Sequence, residues 1–124
     1  MRRRAAVPTQ QELEILKIVW RLRKATVRDV YEALLERRRI AYTTVMTMMN
    51  ILEQKGHLRK ERADKAFVYT ASRSQRQVIG KMVREFVDRV FNGSARPLLV
   101  HLVEDRKLSE DDLRELRRLI EEAE

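Results

Sequence analysis

The feature that most limits the fold of this chain is a change of period partway along it. From Thr9 to Gly56 apolar side chains recur at helical spacing in three short segments; from Leu58 to Ala71 the spacing falls to two. This predicts three helices followed directly by a β-hairpin. Thr9 with Glu12 and Thr26 with Asp29 have the spacing of capping boxes, in which each side chain satisfies a backbone N–H of the other residue. Leu13, Ile15, Leu16, Ile18, Val19 and Trp20 give the first helix a wide apolar face, with Trp20 as a core anchor. The second helix, TVRDVYEALLERR, turns Val27, Val30, Tyr31, Leu34 and Leu35 inward. It ends on Arg37, Arg38 and Arg39, where positive charge suits the negative end of the helix dipole.

The third helix, from Tyr42 to a stop at Gly56, directs Val45, Met48, Met49 and Leu52 inward. Its other face is unusual. Thr43, Thr44 and Thr47 share it, with Met46 and Asn50 at its margins. Threonine is a mediocre helix former and brings no charge for solubility. Short hydroxyl side chains suit a helix that must approach base edges closely: hydroxyls bond base or phosphate, and threonine methyls meet the thymine methyl. In the hairpin that follows, Leu58, Lys60 and Arg62 alternate with Arg59 and Glu61, and Phe67 and Tyr69 alternate with Val68 and Thr70. The polar turn between them is Ala63, Asp64 and Lys65. Placed after helix 3 it forms a wing, with Lys60, Arg62 and Lys65 as its positive edge.

Charge divides at the same point. Residues 1–71 hold 16 Lys/Arg against 8 Asp/Glu, and residues 72–124 hold 11 against 11, so the whole net charge of +8 lies in the first part. A basic part joined to a balanced, apolar-striped part predicts one region that meets a polyanion and another that meets protein. Arg2, Arg3 and Arg4 form either a solvated tail or an arm along phosphates. Arg37, Arg38 and Arg39 are candidates for the same backbone contacts.

From Ser72 or Ser74 onward Val78, Ile79, Met82, Val83, Phe86, Val87, Val90 and Phe91 form a helical stripe ending at Gly93. Ser94 is the candidate cap of a short helix with Leu98, Leu99, Val100, Leu102 and Val103, and Pro97 fits its first turn. Ser109 and Asp112 form a capping box for the last helix, with Leu108 and Leu113 at hydrophobic-staple positions. Leu113, Leu116, Leu119 and Ile120 are its stripe. Three short helices without a sheet do not readily bury such stripes alone, and the simplest partner is a second copy in a twofold dimer. Its expected interface is Ile79, Met82, Val83, Phe86, Val90, Leu99, Leu102, Leu113, Leu116 and Ile120. The expected domains are therefore residues 1–71 for DNA and residues 72–124 for dimerisation.

Other classes find little support. Cysteine is absent, which removes disulfides and thiolate metal sites and fits a reducing cytoplasm. No segment approaches the roughly 20 apolar residues that span a bilayer, and MRRRAAVP has no apolar run of a secretory signal. His57 and His101 lie far apart, without ligands at metal spacing. No nucleophile–base pair or phosphate-cradling glycine loop stands out, so neither an enzyme nor a cofactor is expected.

The run ATVRDVYEALLERRRIAYTTVMTMMNILEQKGHLRKERADKAFVYTA, with EILKIVW before it and LLVHLVEDRKLSEDDLRELRRLI after it, resembles the BlaI/MecI family of bacterial repressors, the penicillinase repressor family. That resemblance implies a mainly α fold with a small β-hairpin wing: a winged helix-turn-helix domain plus a C-terminal helical dimerisation arm. It implies a homodimer that occupies palindromic operators with TACA/TGTA-like cores and represses resistance or stress genes. Residues matching Thr43, Thr44, Met46 and Thr47 face the major groove in the family. Thr44 and Thr47 fit its pattern, whereas some members have Lys and Arg in place of Thr43 and Met46, which implies a different operator. In β-lactam-responsive members a membrane metalloprotease sensor leads to cleavage at the bond aligned with His101 and Leu102; those members have Asn and Phe there. Copper-responsive relatives carry cysteines that this chain lacks. An alternative reading makes the winged helix a module that docks an acidic protein, which explains the charge but not the threonine face.

Overall fold

The computed structural model describes residues 7–123, so Arg2, Arg3 and Arg4 lie outside the described residues. Contacts divide the chain into two compact units, Met1–Lys81 and Met82–Glu124.

The first unit begins with α1 (Gln10–Leu22), α2 (Val27–Leu35) and α3 (Tyr42–Gln54), followed by the antiparallel strands β1 (Leu58–Ala63) and β2 (Ala66–Ala71). Both expected capping boxes form. The Thr9 hydroxyl accepts from the Glu12 N–H at 3.2 Å while Glu12 accepts from the Thr9 N–H at 3.0 Å, and Thr26 and Asp29 do the same at 3.1 and 2.9 Å. Helix α3 ends as its glycine requires: Gly56 has φ 83°, its N–H donates to the Glu53 carbonyl, and the His57 N–H donates to Leu52. That pair of bonds is a Schellman stop, which needs a left-handed residue at Gly56.

The core of this unit is Ile15, Leu16 and Val19 of α1, Val30 and Leu34 of α2, Val45, Met49 and Leu52 of α3, and Leu58 and Tyr69 of the hairpin. Fully burying side chains of this size stabilises by about 1.5–3 kcal/mol each. The hairpin pairs Leu58 with Ala71, Lys60 with Tyr69 and Arg62 with Phe67, leaving Asp64 and Lys65 as the turn. Ala63 is paired with Ala66 and belongs to β1, not to the turn. Ala25, in the link between α1 and α2, exchanges two backbone hydrogen bonds with Tyr69, at 3.0 and 2.8 Å. The base of the wing is therefore fastened to the helices by backbone as well as by side chains.

Two further expectations change here. Helix α2 stops at Leu35, one residue before its C-cap Glu36, so Arg37 and Arg38 lie beyond it and donate their backbone N–H groups to the Leu34 carbonyl. Leu35 turns outward and is 43% exposed, since it lies about 100° round the helix from fully buried Leu34. Trp20 is half-buried and anchors through its indole N–H, which donates to the Arg73 carbonyl at 3.0 Å.

Helix α4 (Gln75–Phe91) starts from Ser74, whose hydroxyl accepts from the Gln77 N–H at 3.1 Å while Gln77 accepts from the Ser74 N–H. The division between units falls within this helix. In the second unit α4 ends at Gly93, with φ 86° and its N–H on the Val87 carbonyl. Helix α5 (Arg96–Glu104) is capped by Ala95 without a side-chain bond, not by Ser94, whose N–H is turned back onto the Phe91 carbonyl. Helix α6 (Glu110–Ala123) has the expected Ser109–Asp112 box, with both bonds at 3.0 Å. Phe91 contacts Phe86 edge-on and lies beside the His101 ring. Neither α5 nor α6 contains a buried residue. No helix among the described residues is long and apolar enough to cross a membrane.

Candidate nucleic-acid interface

Helix α3 is held at both ends and free along one face. At its C-terminal end the Lys55 ammonium donates to both carboxylate oxygens of buried Glu12, at 2.8 and 3.1 Å, tying α3 to the start of α1. Burial raises the Glu12 carboxyl pKa. The Lys55 hydrogen bonds, the Thr9 N–H and the charges of Lys55 and His57 outweigh it, so the group sits below the ordinary glutamate value. At the N-terminal end the Tyr42 ring meets Tyr31 edge-on with centroids 5.4 Å apart. Between these fixings Thr43, Thr44, Met46 and Thr47 are all exposed, while Val45 and Met49 are fully buried. Met48 is half-buried, so the inward row is narrower than its spacing predicts.

A groove of about 570 Å³ runs between this helix, the start of α2 and the wing. Met46 and Asn50 line it from α3, Arg28 and Tyr42 from the helix ends, and Lys60, Lys65 and Phe67 from the wing. The cations are oriented by aromatic rings. The Arg28 guanidinium lies 5.7 Å from the Tyr42 centroid; Lys60 and Arg62 lie 4.8 and 5.9 Å from that of Phe67. Such contacts are worth about 0.5–1 kcal/mol at exposed sites, and they hold flexible cations where an anion could meet them. Lys60 also lies 3.8 Å from Glu53.

The structure thus gathers Met46, Asn50, Lys60 and Lys65 around one groove, with Arg62 beside it on the Phe67 ring. It places Arg37 and Arg38 elsewhere. Both face Glu14 of α1, at 3.9 and 2.8 Å, and line a different groove with Gln10, Leu13 and Lys17. Arg39 is exposed. Asn50 is half-buried, with its carbonyl oxygen accepting from the Tyr69 hydroxyl at 3.1 Å.

Four residues of this region escaped the sequence reading of the site: Arg28, Tyr42, Phe67 and Tyr69. Arg28 left a signal. A cation in the first turn of a helix opposes the dipole, which makes it a candidate for work outside the helix. The aromatic residues left none, because their role depends on which cations the fold sets against them. Among the described residues no group of three His, Cys, Asp or Glu is placed to hold a metal ion.

Three helices with an antiparallel hairpin fastened behind the third define a winged helix-turn-helix protein with a helical C-terminal segment. The chain belongs to the penicillinase repressor family, whose family model matches residues 8–122. It is 27% identical to the penicillinase repressor of Bacillus licheniformis over 111 residues, covering 90% of this chain and 87% of that protein. It is 36% identical to the transcriptional regulator BlaI of Mycobacterium tuberculosis over 115 residues, covering 91% and 82%. Among solved structures it resembles Bacillus licheniformis BlaI in monomeric form in complex with the blaP half-operator. That likeness has a TM-score of 0.50 and 26% identity, over 57% of this chain and 89% of that one. A mutant MarR from E. coli complexed with operator DNA has a TM-score of 0.52 at 13% identity, over 94% and 75%, and shares the fold alone.

Proposed function

We propose that this protein is a homodimeric, sequence-specific transcriptional repressor that occupies a palindromic operator. The observation that carries the reading is the exposed, uncharged threonine face of α3 beside a groove edged by Arg28, Lys60 and Lys65. Thr43, Thr44, Met46 and Thr47 read bases in the major groove, with Asn50 further along the helix. Arg28, Lys60, Arg62 and Lys65 neutralise phosphates; Arg39 adds to them, and Arg37 and Arg38 do so by leaving Glu14. Repression needs occupancy alone, so no catalytic group is required. A protein working on a bacterial chromosome acts in the cytoplasm.

Dimerisation through residues 72–124 is supported by the apolar surface that the second unit leaves uncovered. Val83, Phe86 and Val90 of α4, Leu99 of α5, and Leu113 and Ile120 of α6 are each between 41% and 61% exposed. The polar side of α6 is stitched to itself, with Arg118 bound by Glu115 and Glu122, so its leucine stripe is the side left for a partner. Met82, Leu102 and Leu116 are half-buried beside that surface, and Ile79 lies on α4 in the first unit. Patches beyond a few hundred Å² usually mark an interface. A sensor protease partner has less support. The His101–Leu102 bond lies within α5, and a protease must first unwind a helix to take its backbone into an extended active site.

A gel shift of genomic fragments, including the promoter of its own gene, tests the function. A retarded, salt-sensitive band for a subset of fragments is expected. Equal retention of every fragment, or of none by folded protein, contradicts it. Retention of an acidic protein in place of DNA favours the docking-module alternative.

A further inference from the structure

Asn50 stands on the same stripe of α3 as Thr43 and Thr47, at the end nearer the wing. An asparagine amide has two ends, an accepting oxygen and a donating NH2. When both are free it makes the paired contact to adenine N6 and N7 that this side chain is used for in major grooves. Here one of the oxygen's two lone pairs is taken, and the oxygen is turned toward the group that takes it. The Tyr69 hydroxyl donates to Asn50 Oδ1 at 3.1 Å, and the tyrosine that delivers it cannot move away. Tyr69 is 2% exposed and its backbone is hydrogen-bonded both ways to Ala25. A phenol donates better than it accepts, since its lone pairs are drawn into the ring. Burial, then Glu53 and Tyr42, keeps this one protonated above the ordinary tyrosine range. Asn50 lines the groove together with Thr26, Arg28, Tyr42, Lys60 and Lys65, and Nδ2 is the end of its amide that Tyr69 does not hold.

Resting on the operator-binding reading above, we propose that Asn50 is a donor-only base reader, set in that state by Tyr69. Its Nδ2 donates to a base-edge acceptor in the major groove, guanine O6 or N7, adenine N7 or thymine O4. Tyr69 is a positioning residue: it touches no base and decides which half of the amide the base meets. The arrangement disfavours cytosine, which offers only a donor there, and denies adenine the paired contact, so that the two orientations of a G·C pair are told apart at one position of each half-site.

The test is selection of binding sites from randomised duplex by the full chain, its N50A variant and its Y69F variant, with each variant's fold followed by thermal unfolding. The parent distinguishes the two orientations of a G·C pair at one position of the half-site and gives no added preference to A·T there. N50A loses about fivefold of that preference, the worth of one neutral hydrogen bond, and leaves other positions unchanged. Y69F frees the amide oxygen and shifts the same position toward adenine, which a merely structural role for Tyr69 would not do. A preference of the parent for an A·T pair at that position, erased in N50A, overturns the proposal, because the paired adenine contact needs the amide oxygen free. Uniform weakening by N50A across all sequences overturns it too, since the NH2 would then sit on phosphate. Selection of an operator with no change in N50A overturns this assignment alone. Failure of the folded parent to select any sequence overturns the operator reading and this proposal with it.

Discussion

Replacing Arg28, Lys60 and Lys65 together by alanine removes the cations that edge the groove beside α3. If each meets one phosphate, binding of the parent falls with salt more steeply than binding of the variant. Each phosphate contact contributes about 0.9 to the slope of log K against log salt, so three contribute about 2.7. At 0.1 M salt that difference amounts to a loss on the order of a few hundredfold, vanishing as salt approaches 1 M. The structure grades the three, and Arg28, 3.8 Å from Glu32, should contribute less than the full value. Lys65 lies on the exposed turn, and K65A alone should lower the slope by close to the full value. Lys60 lies 3.8 Å from Glu53, so part of its charge is already answered and K60A should change the slope by less. Fluorescence anisotropy with one labelled duplex between 0.05 and 0.4 M salt would measure this. A variant that weakens equally at every salt concentration refutes the reasoning, because the three cations would then act through folding and not through phosphate.

Three other perturbations separate the parts. T44A should reduce the preference for operator over random duplex by about tenfold, and K65A should weaken both alike; identical behaviour of the two in competition binding would contradict the assigned roles. E12Q keeps the Thr9 box but removes the charge that holds Lys55, and should cost about 1–2 kcal/mol at pH 7 by chemical unfolding. Because the Glu12 pKa is depressed in the folded protein, that contribution is fully present above the unfolded value, near 4.3, and is lost as pH falls through the folded value. The gap between parent and E12Q should therefore close below about pH 4; a constant gap down to pH 3 would contradict it. F86D, in the uncovered surface of α4, should halve the sedimenting mass while leaving the environment of Trp20 unchanged, and an unaltered mass would place the interface elsewhere.

Much of the framework was legible because helix starts and stops are local chemistry. Thr9–Glu12, Thr26–Asp29 and Ser109–Asp112 each declare a cap within four residues, and Gly56 and Gly93 supply the left-handed ends. Where two hydroxyls competed, the choice fell to Ser74 because Gln77 answers it. Ser94 has no such partner, and Ala95 takes the cap instead. The threonine face was visible from spacing alone, since periodicity fixes which residues share a side of a helix. What was not legible is long-range. The exchange between Ala25 and Tyr69, the indole bond from Trp20 to Arg73 and the hold of Tyr69 on Asn50 join residues 19 to 53 positions apart. The pairing of Arg37 and Arg38 with Glu14 is long-range in the same way, and spacing did not reveal it.

Sequencing the genomic fragments retained by the purified full chain tests the central claim most directly. A twofold dimer presenting two α3 faces should enrich inverted repeats whose half-site centres lie one helical turn of about 10 bp apart, or a multiple of it. Enriched fragments lacking any inverted repeat, or no enrichment by folded protein, would contradict it.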